Sequence, residues 1–416
     1  MWGGHMASQS AIVDSPSLSI NASNQRGYRL DAIDMLRGLV IMIMAIDHVR
    51  DFFLFGTEQD PMANPNITAG LFATRWITHF CAPVFVLLAG VSAGLMSRRR
   101  SRIELARFLF TRGLWLVVAE MLIVSTITSF TIGGSPQTGG RICFSMQVIF
   151  AIGISMVVLS AAQWLGRRGC FAIGLAIIAG HNLLDAVWPT SRLSDQQWPI
   201  WVALHSQMSF VAGPFLFRFV YPPLAWIGVM ALGFGVSEMF ELPPARRNVI
   251  LRRAGVILIT AFILIRAIGI YGDANPWQVQ PAGIPATVMD FLNTTKYPPS
   301  LDYLLMTLGP AALLCSYFDR VTGAIKSVLT TFGRVPFAFY MAHFFLIHLF
   351  SVLLGMAQGF SAGDMMTAYR FYPRGYGVGL PWVYAVWALV VALLFPLCRW
   401  MAGVKARRRD WWLSYV

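Results

Sequence analysis

Ten apolar stretches, each long enough to cross a bilayer as a helix, divide the chain: roughly 33–55, 71–97, 104–128, 143–165, 169–188, 219–240, 254–272, 299–318, 334–356 and 380–402. The connections between them alternate in character. Those on one side carry runs of arginine. Those on the other (56–70, 129–142, 189–218, 273–298 and 357–379) are longer and richer in Pro, Gly, Asn and Trp. The pattern predicts an all-α, polytopic membrane helix bundle of about ten spans, with both termini on the arginine-rich, cytoplasmic side. Trp198 to Phe217 fits less well, because Gly213-Pro214 interrupts an apolar run. It is predicted to be interfacial, re-entrant or a further span. Residues 1–28 read as a vector-derived remnant (MWGGHMAS) and a flexible tail, and 29–416 as a single membrane domain without internal repeats. No cleavable signal pattern opens the chain, so the first apolar helix is expected to stay as an anchor.

Composition agrees with this pattern. Of 416 residues, 56% are hydrophobic and only 12% charged, with a mean hydropathy of +0.61, the profile of an integral membrane protein. A net charge of +13 would suggest nucleic acid as the partner of a soluble chain. Here the charge sits in Arg98-Arg99-Arg100-Ser101-Arg102, Arg167-Arg168, Arg246-Arg247 with Arg252-Arg253, and Lys405 to Arg409, all between or after apolar stretches. That is the positive-inside signature. It makes membrane lipid the expected partner of these charges and argues against nucleic acid. The five cysteines, Cys81, Cys143, Cys170, Cys315 and Cys398, have no metal-site spacing and read as small buried hydrophobes.

One stretch breaks the apolar rule. RLDAIDMLRGLVIMIMAIDHVRDFFLF, from Arg29 to Phe55, carries Asp34, Arg37, Asp47, His48, Arg50 and Asp51. Each ionisable group in a spanning helix costs roughly 2.5–3.5 kcal/mol on insertion scales, so such groups face a protein interior or a wet cavity. Arg37 and His48 are eleven residues apart, which puts them on one helix face about 16 Å apart along the axis. Further ionisable side chains fall at a similar depth near the outer side: His79, His181, Asp185, Arg266, Asp302 and His348, all within about 12 Å of the surface at 1.5 Å per residue. Several helices thus offer His, Asp and Arg at one level, as a lined cavity would.

Histidine is the side chain suited to general acid and base work near neutral pH, and an adjacent carboxylate can orient it. His48 has Asp47 and Asp51 beside it, and His181 has Asp185 one turn on. Arg37, Arg50, Arg75 and Arg266 suit donor phosphates or structural ion pairs. No Ser or Cys nucleophile has a base at helical spacing, so direct proton abstraction from an acceptor is favoured, with an acyl-histidine route left open. A bland role is accepted for His343 and His348 as interhelical hydrogen-bonding residues, for His205 as a solvated loop residue, and for Arg107, Arg112, Arg334 and Arg399 as snorkelling or capping groups. No HxxxH or HxxE spacing supports a metal site.

LDAIDMLRGLVIMIMAIDHVRDFF and RWITHFCAPVFVLLAGVSAG, then GHNLLDAVWP, YPPLAWIGVMALGFGVSE, KYPPSLDYLLMTLGPA, FGRVPFAFYMAHFFLIH and the terminal WWLSYV, together resemble bacterial members of the heparan-alpha-glucosaminide N-acetyltransferase-like family, over nearly all of Arg29 to Val416. The related acyltransferase-3 group carries an Arg-or-Lys, ten residues, His motif in its first helix, and Arg37 and His48 match that spacing. The resemblance implies transfer of an acetyl or similar acyl group from cytoplasmic acyl-CoA to a sugar across the membrane. It also implies that His48 is the base, with Arg37 on the donor side. One departure stands out: the lysosomal relative has a catalytic His in the loop after its first span, whereas Gly56 to Gly70 here has none.

The resulting reading is an acyl-CoA-dependent transmembrane acyltransferase in a bacterial inner membrane. Acetyl-CoA is the donor, no metal is expected, and the acceptor is a carbohydrate. His48, Asp47 and His79 are the catalytic candidates. Arg37, Arg50, Asp51, Arg75, His181, Asp185, Arg266, Lys296 and Asp302 are the binding candidates. A homodimer is an open option. The rival reading is a proton-coupled transporter or flippase for a glycan or anionic metabolite. A pocket reachable from both faces at once favours the transferase over alternating access.

Overall fold

In hydrocarbon every backbone N–H and C=O must pair within its own segment, so long apolar stretches fold as helices. The computed structural model describes residues 20–56, 67–131, 133–134, 138–187, 191–192, 199–408 and 410–414. Among these residues, eight helical runs are long and apolar enough to cross a membrane: Ala69–Met96, Arg102–Ser129, Val148–Leu184, Pro223–Glu241, Pro244–Ile268, Leu301–Arg320, Pro336–Ala357 and Leu380–Arg407.

The first helix, α1 (Ile20–Phe53), is too charged to be counted with them, yet it is packed at the centre of the molecule with Ala32, Ala45 and Val49 wholly buried. It is followed by α2 (Ala69–Thr78) and α3 (Cys81–Met96), then α4 (Arg102–Ala119), which opens on a Ser101–Glu104 capping box. A single π-helical turn, Glu120–Val124, joins α4 to α5 (Ser125–Ser129). Strand β1 (Ile142–Met146) precedes α6 (Val148–Ala162), and Gly166, at φ +72°, reverses the chain into α7 (Gly166–Gly180). The 37-residue run Val148–Leu184 is therefore two helices, a hairpin rather than one long span. Strands β2 (Ser191–Arg192), β3 (Gln207–Ala212) and β4 (Phe215–Phe219) come next. The remaining helices are α8 (Pro223–Val236), α9 (Pro244–Ile268), α10 (Ile284–Leu292), α11 (Leu301–Tyr317), α12 (Gly323–Arg334), α13 (Pro336–Ala357), α14 (Ala362–Met365) and α15 (Leu380–Arg407).

The bundle is nearly all-α, as predicted, with two local corrections. The apolar run around Gly213-Pro214 is neither an interfacial helix nor a span. It is a β3–β4 hairpin turning at that dipeptide, in a small sheet ordered β1-β4-β3-β2. The segment predicted from residue 143 begins as β1, which pairs in parallel with β4 from Ile142↔Phe215 to Met146↔Phe219, and turns helical only at Val148.

The arginine-bearing ends gather on one face. Arg98 and Arg167 both reach Glu241, Arg167 also reaches Glu238 at 3.1 Å, Arg247 pairs with Asp319, and Lys326 and Arg334 meet Asp31 at 2.7 and 3.3 Å. The more exposed of these pairs add little stability, whereas Arg247–Asp319 is buried, and together they show which helix ends are neighbours. Helices α1 and α12 cross where a Cβ on Gly38 would lie 1.9 Å from the Leu329 carbonyl oxygen, and one on Gly333 would lie 1.8 Å from that of Asp34. Glycine is required there because the two backbones touch.

Candidate active site: two cavities meeting at His48

Two cavities approach the same point of α1 from its two ends. The larger, about 620 Å³, is walled by the Asp47–Phe52 end of α1, by Arg75, by the π turn and α5, by β1, Arg218, Tyr221 and Tyr297, and by the turn carrying Tyr369 and Arg370. The smaller, about 310 Å³, runs along α1 from Arg37 to His48. Arg112, Arg334 and Lys405 lie toward its basic end, and Thr78, Lys296 and Tyr340 are among its other wall residues. Four residues belong to both walls: Asp47, His48, Gln147 and Tyr221.

His48 is held by a partner from the far end of the chain. Its Nδ1 lies 2.7 Å from Nε2 of His343, and its ring stacks on Phe344 at 4.2 Å. His343 Nδ1 in turn lies 3.1 Å from the Phe339 carbonyl oxygen. A carbonyl only accepts, so His343 Nδ1 carries a proton and its neutral ring presents Nε2 as an acceptor. The Nδ1–H of His48 therefore donates to His343. That leaves the Nε2 lone pair of His48 at the junction of the cavities, the tautomer a general base needs.

Asp47 is adjacent but otherwise engaged. It accepts two hydrogen bonds from Arg75 Nη1, at 2.9 and 3.0 Å, and one from the Thr78 hydroxyl at 2.9 Å; Arg50 lies at 2.8 Å and Lys296 at 3.7 Å. Arg50 also donates to Asp51 at 2.5 Å. The expectation that Asp47 orients His48 is thus corrected. Its carboxylate is occupied by cations and a hydroxyl, and it locks α1 to α2 and to the Lys296 turn. Buried cations without such a counter-charge would be strongly destabilising.

Arg37 is braced at the inner end by Asp34 at 3.1 Å, Ser92 Oγ at 3.1 Å and the Gly333 carbonyl at 3.2 Å. Arg50, Asp51 and Arg75 line the outer cavity and Lys296 the inner one, so these candidates converge on the site. The others do not. His79 is buried behind α2, its ring 5.4 Å from that of Tyr303, and it lines neither cavity. His181, Asp185, Arg266 and Asp302 belong to structural clusters apart from both. Asp185 partners His205 at 2.8 Å and Asn182 at 2.7 Å rather than His181, and His205 is wholly buried rather than solvated. Arg266 donates to the carbonyls of Asn275, Phe291, Asn293 and Asp290 and stands 3.8–3.9 Å from Asp302 and Asp273, so it pins a connecting segment. His348 does have the interhelical bonding role expected of it, reaching the carbonyls of Ile127 and Met365.

Sequence reasoning missed Gln147, Tyr221 and the outer-cavity arginines Arg141, Arg218 and Arg370; it gave His343 an interhelical bonding role, which it has, without linking it to His48. Of these, only Arg218 carried a usable signal, as a lone charge in FLFRF. Outside the helices, burial and the neighbouring Arg370 press the Arg218 guanidinium below its ordinary value, and burial pushes the Tyr369 hydroxyl up to about 12.

The family model for the catalytic region of heparan-alpha-glucosaminide N-acetyltransferase matches residues 29–271, more than half of the chain. The chain belongs to that family. Heparan-alpha-glucosaminide N-acetyltransferase-like proteins are membrane acetyltransferases that in general draw on acetyl-CoA, and the apolar helices here make the chain an integral multi-pass membrane protein. The match takes in Arg37, Asp47, His48, Gln147 and Tyr221 but stops before Lys296 and His343, which join the site through the fold. Comparison with curated proteins yields no match. Among the described residues, no group of three His, Cys, Asp or Glu side chains is placed to hold a metal ion.

Proposed function

We propose that the protein transfers an acetyl or similar acyl group from acyl-CoA, bound in the inner cavity, to a sugar or glycan acceptor in the outer cavity. One observation carries the reading: both cavities reach His48 at once, from opposite ends of the bundle. Arg37, Arg112, Arg334 and Lys405 around the inner cavity suit the phosphates of the donor, whose narrow pantetheine arm matches a channel of about 310 Å³. As the acceptor nitrogen or oxygen bonds to the acyl carbon, His48 Nε2 takes its proton. The carbon–sulfur bond breaks, and the same proton passes to the departing thiolate. Lys296 and Tyr221, which line the inner cavity with His48, would serve as donors to the carbonyl oxygen; Tyr297 donates to Tyr221 at 3.3 Å, which leaves the Tyr221 proton available. In this reading the basic face is cytoplasmic and contacts anionic lipid, ten helices span the inner membrane with both termini inside, and any homodimer forms outside the two cavities.

The test is acetyl-CoA turnover in nanodiscs by wild type and His48→Ala, with a panel of amino sugars and glycan fragments. Acceptor-dependent CoA release that falls about 10²–10⁴-fold in the variant supports the reading. Undiminished release in His48→Ala removes the base. Acceptor binding with no CoA release in any arm points instead to a proton-coupled transporter.

A further inference from the structure

The outer cavity carries more cation than its own carboxylates need. Arg50 and Arg75 are neutralised by Asp47 and Asp51, but Arg141, Arg218 and Arg370, which line the same cavity, have no carboxylate within ion-pair distance among the described residues. They come from three separate elements: the lead-in to β1, β4, and the short helical turn at Tyr369–Phe371. All three lie outside the apolar spans. Arg218 is partly buried, and burial first, then the neighbouring charge of Arg370, lower its proton affinity. Like charges collected this way on one cavity wall fit a ligand that brings the negative charge.

A second, independent feature concerns the wall of the same cavity. The π turn rotates Met121 and Leu122 into the lining, and Ser125, Thr126, Thr128 and Ser129 continue it toward the outer end. Leu122 is also 56% exposed, on the lipid-facing side with Val118 and Ile123 at 45% and 37%. One side chain thus belongs to the cavity wall and to the exposed helix surface, about seven residues, or roughly 10 Å, before the end of α5 at Ser129. Lying within the apolar run Arg102–Ser129, Leu122 would give the cavity an opening toward hydrocarbon, an unneeded feature for an acceptor arriving only from water.

We infer that the acceptor is a lipid-linked glycosyl phosphate. Its phosphate is held by Arg141, Arg218 and Arg370, its apolar chain leaves past Leu122 into the outer leaflet, and its sugar points inward to His48. A phosphate is the anion that joins a sugar to an apolar chain, so it sits between the two environments the cavity supplies. This deepens the transferase reading and rests on it for the role of the sugar, but binding of the lipid phosphate is tested without turnover.

The probe is farnesyl phosphate, compared with farnesol and with inorganic phosphate, binding to the full chain in phosphatidylcholine nanodiscs. The expected result is a Kd at least about tenfold lower for farnesyl phosphate than for either fragment. The Arg218→Ala/Arg370→Ala double variant, checked for an unchanged melting midpoint, is expected to lose about tenfold or more of that affinity. Equal binding of inorganic phosphate, equal binding of farnesol, or an unaffected double variant overturns the inference. So does equal competition by phosphatidylglycerol, which would make the site one for bulk lipid. If CoA release fails in all arms of the turnover assay while farnesyl phosphate still binds through the arginines, the transferase reading falls and the lipid-phosphate site stands. If turnover succeeds but farnesyl phosphate binds no better than its fragments, the site reading alone falls.

Discussion

At the residue scale, the proposed reaction turns on which atom of His48 carries a proton, and the partner that bears on this, His343, is 295 positions away. Removing the His343 acceptor frees the His48 ring to flip or to protonate the wrong nitrogen, while the cavities and their cations stay in place. His343→Phe is therefore expected to lower kcat about 10–10²-fold with KM for acyl-CoA nearly unchanged, and to alter the pH profile. His343→Gln, whose amide oxygen can accept the same Nδ1–H, is expected to recover part of the loss. Steady-state CoA release from both variants between pH 6 and 9 checks this. A parallel rise in KM, or no difference between Phe and Gln, would show that His343 only packs. Asp47 teaches the converse. Its proximity to His48 in sequence suggested a dyad, but a carboxylate already holding Arg50, Arg75 and Thr78 has no lone pair well placed for the imidazole.

At the element scale, the helices were legible because a bilayer demands apolar runs of fixed length, and each predicted stretch contains a helix. What escaped was structure whose signal is weaker than apolarity. β3 and β4 were read as one broken apolar segment because their period-two alternation, as in QMSFVA, is shallow beside Phe, Val and Leu. The amphipathic α12 was missed as a separate element because GAIKSVLTTFGR mixes too many polar residues for a span. Yet α12 sets the inner end of the site. It meets α1 at Gly38 and Gly333, and the Gly333 carbonyl accepts from Arg37. Gly333→Val puts a side chain where the Asp34 carbonyl lies 1.8 Å from any Cβ, so α1 and α12 must separate. Overpacking of this kind costs about 1–3 kcal/mol or more. The expected outcome is a lower melting midpoint in detergent together with a several-fold higher KM for acetyl-CoA, since Arg37 loses its brace. A variant with both unchanged would remove the crossing from the account of the donor site. The clusters around Asp185 and Arg266 could not be separated from the site by sequence, because equal depth in the membrane does not mean a shared cavity.

At the scale of the whole molecule, a transferase and a transporter differ in whether one state opens to both sides. The chain carries two natural reporters, since Cys143 lines the outer cavity and Cys81 the inner one, while Cys170, Cys315 and Cys398 line neither. With those three replaced by serine, a membrane-impermeant thiol reagent applied to right-side-out vesicles is expected to label Cys143. Applied to inside-out vesicles at alkaline pH, it is expected to label Cys81 more slowly than Cys143, because that thiol is more deeply buried, with CoA protecting it. Burial raises the Cys143 pKa, and the thiolate is the reactive form, so its labelling is expected to be slow at neutral pH and to climb with pH past the ordinary thiol range near 8.5. The decisive quantity is coupling. In a transferase with two standing cavities, occupying the inner one with CoA leaves the outer labelling rate unaltered. In an alternating carrier, ligand on one side shuts the other, and Cys143 labelling drops as Cys81 becomes protected. Independent rates are expected here, because Asp47, Arg50, Arg75 and Lys296 bind α1, α2 and the Lys296 turn into one buried ion cluster at the level where a carrier would have to flex. Breaking those contacts on each cycle would strip buried cations of their counter-charge, a penalty of about 3–5 kcal/mol for each broken pair. In the proposed transferase a fixed junction at His48 avoids that penalty, and only the acyl group would cross.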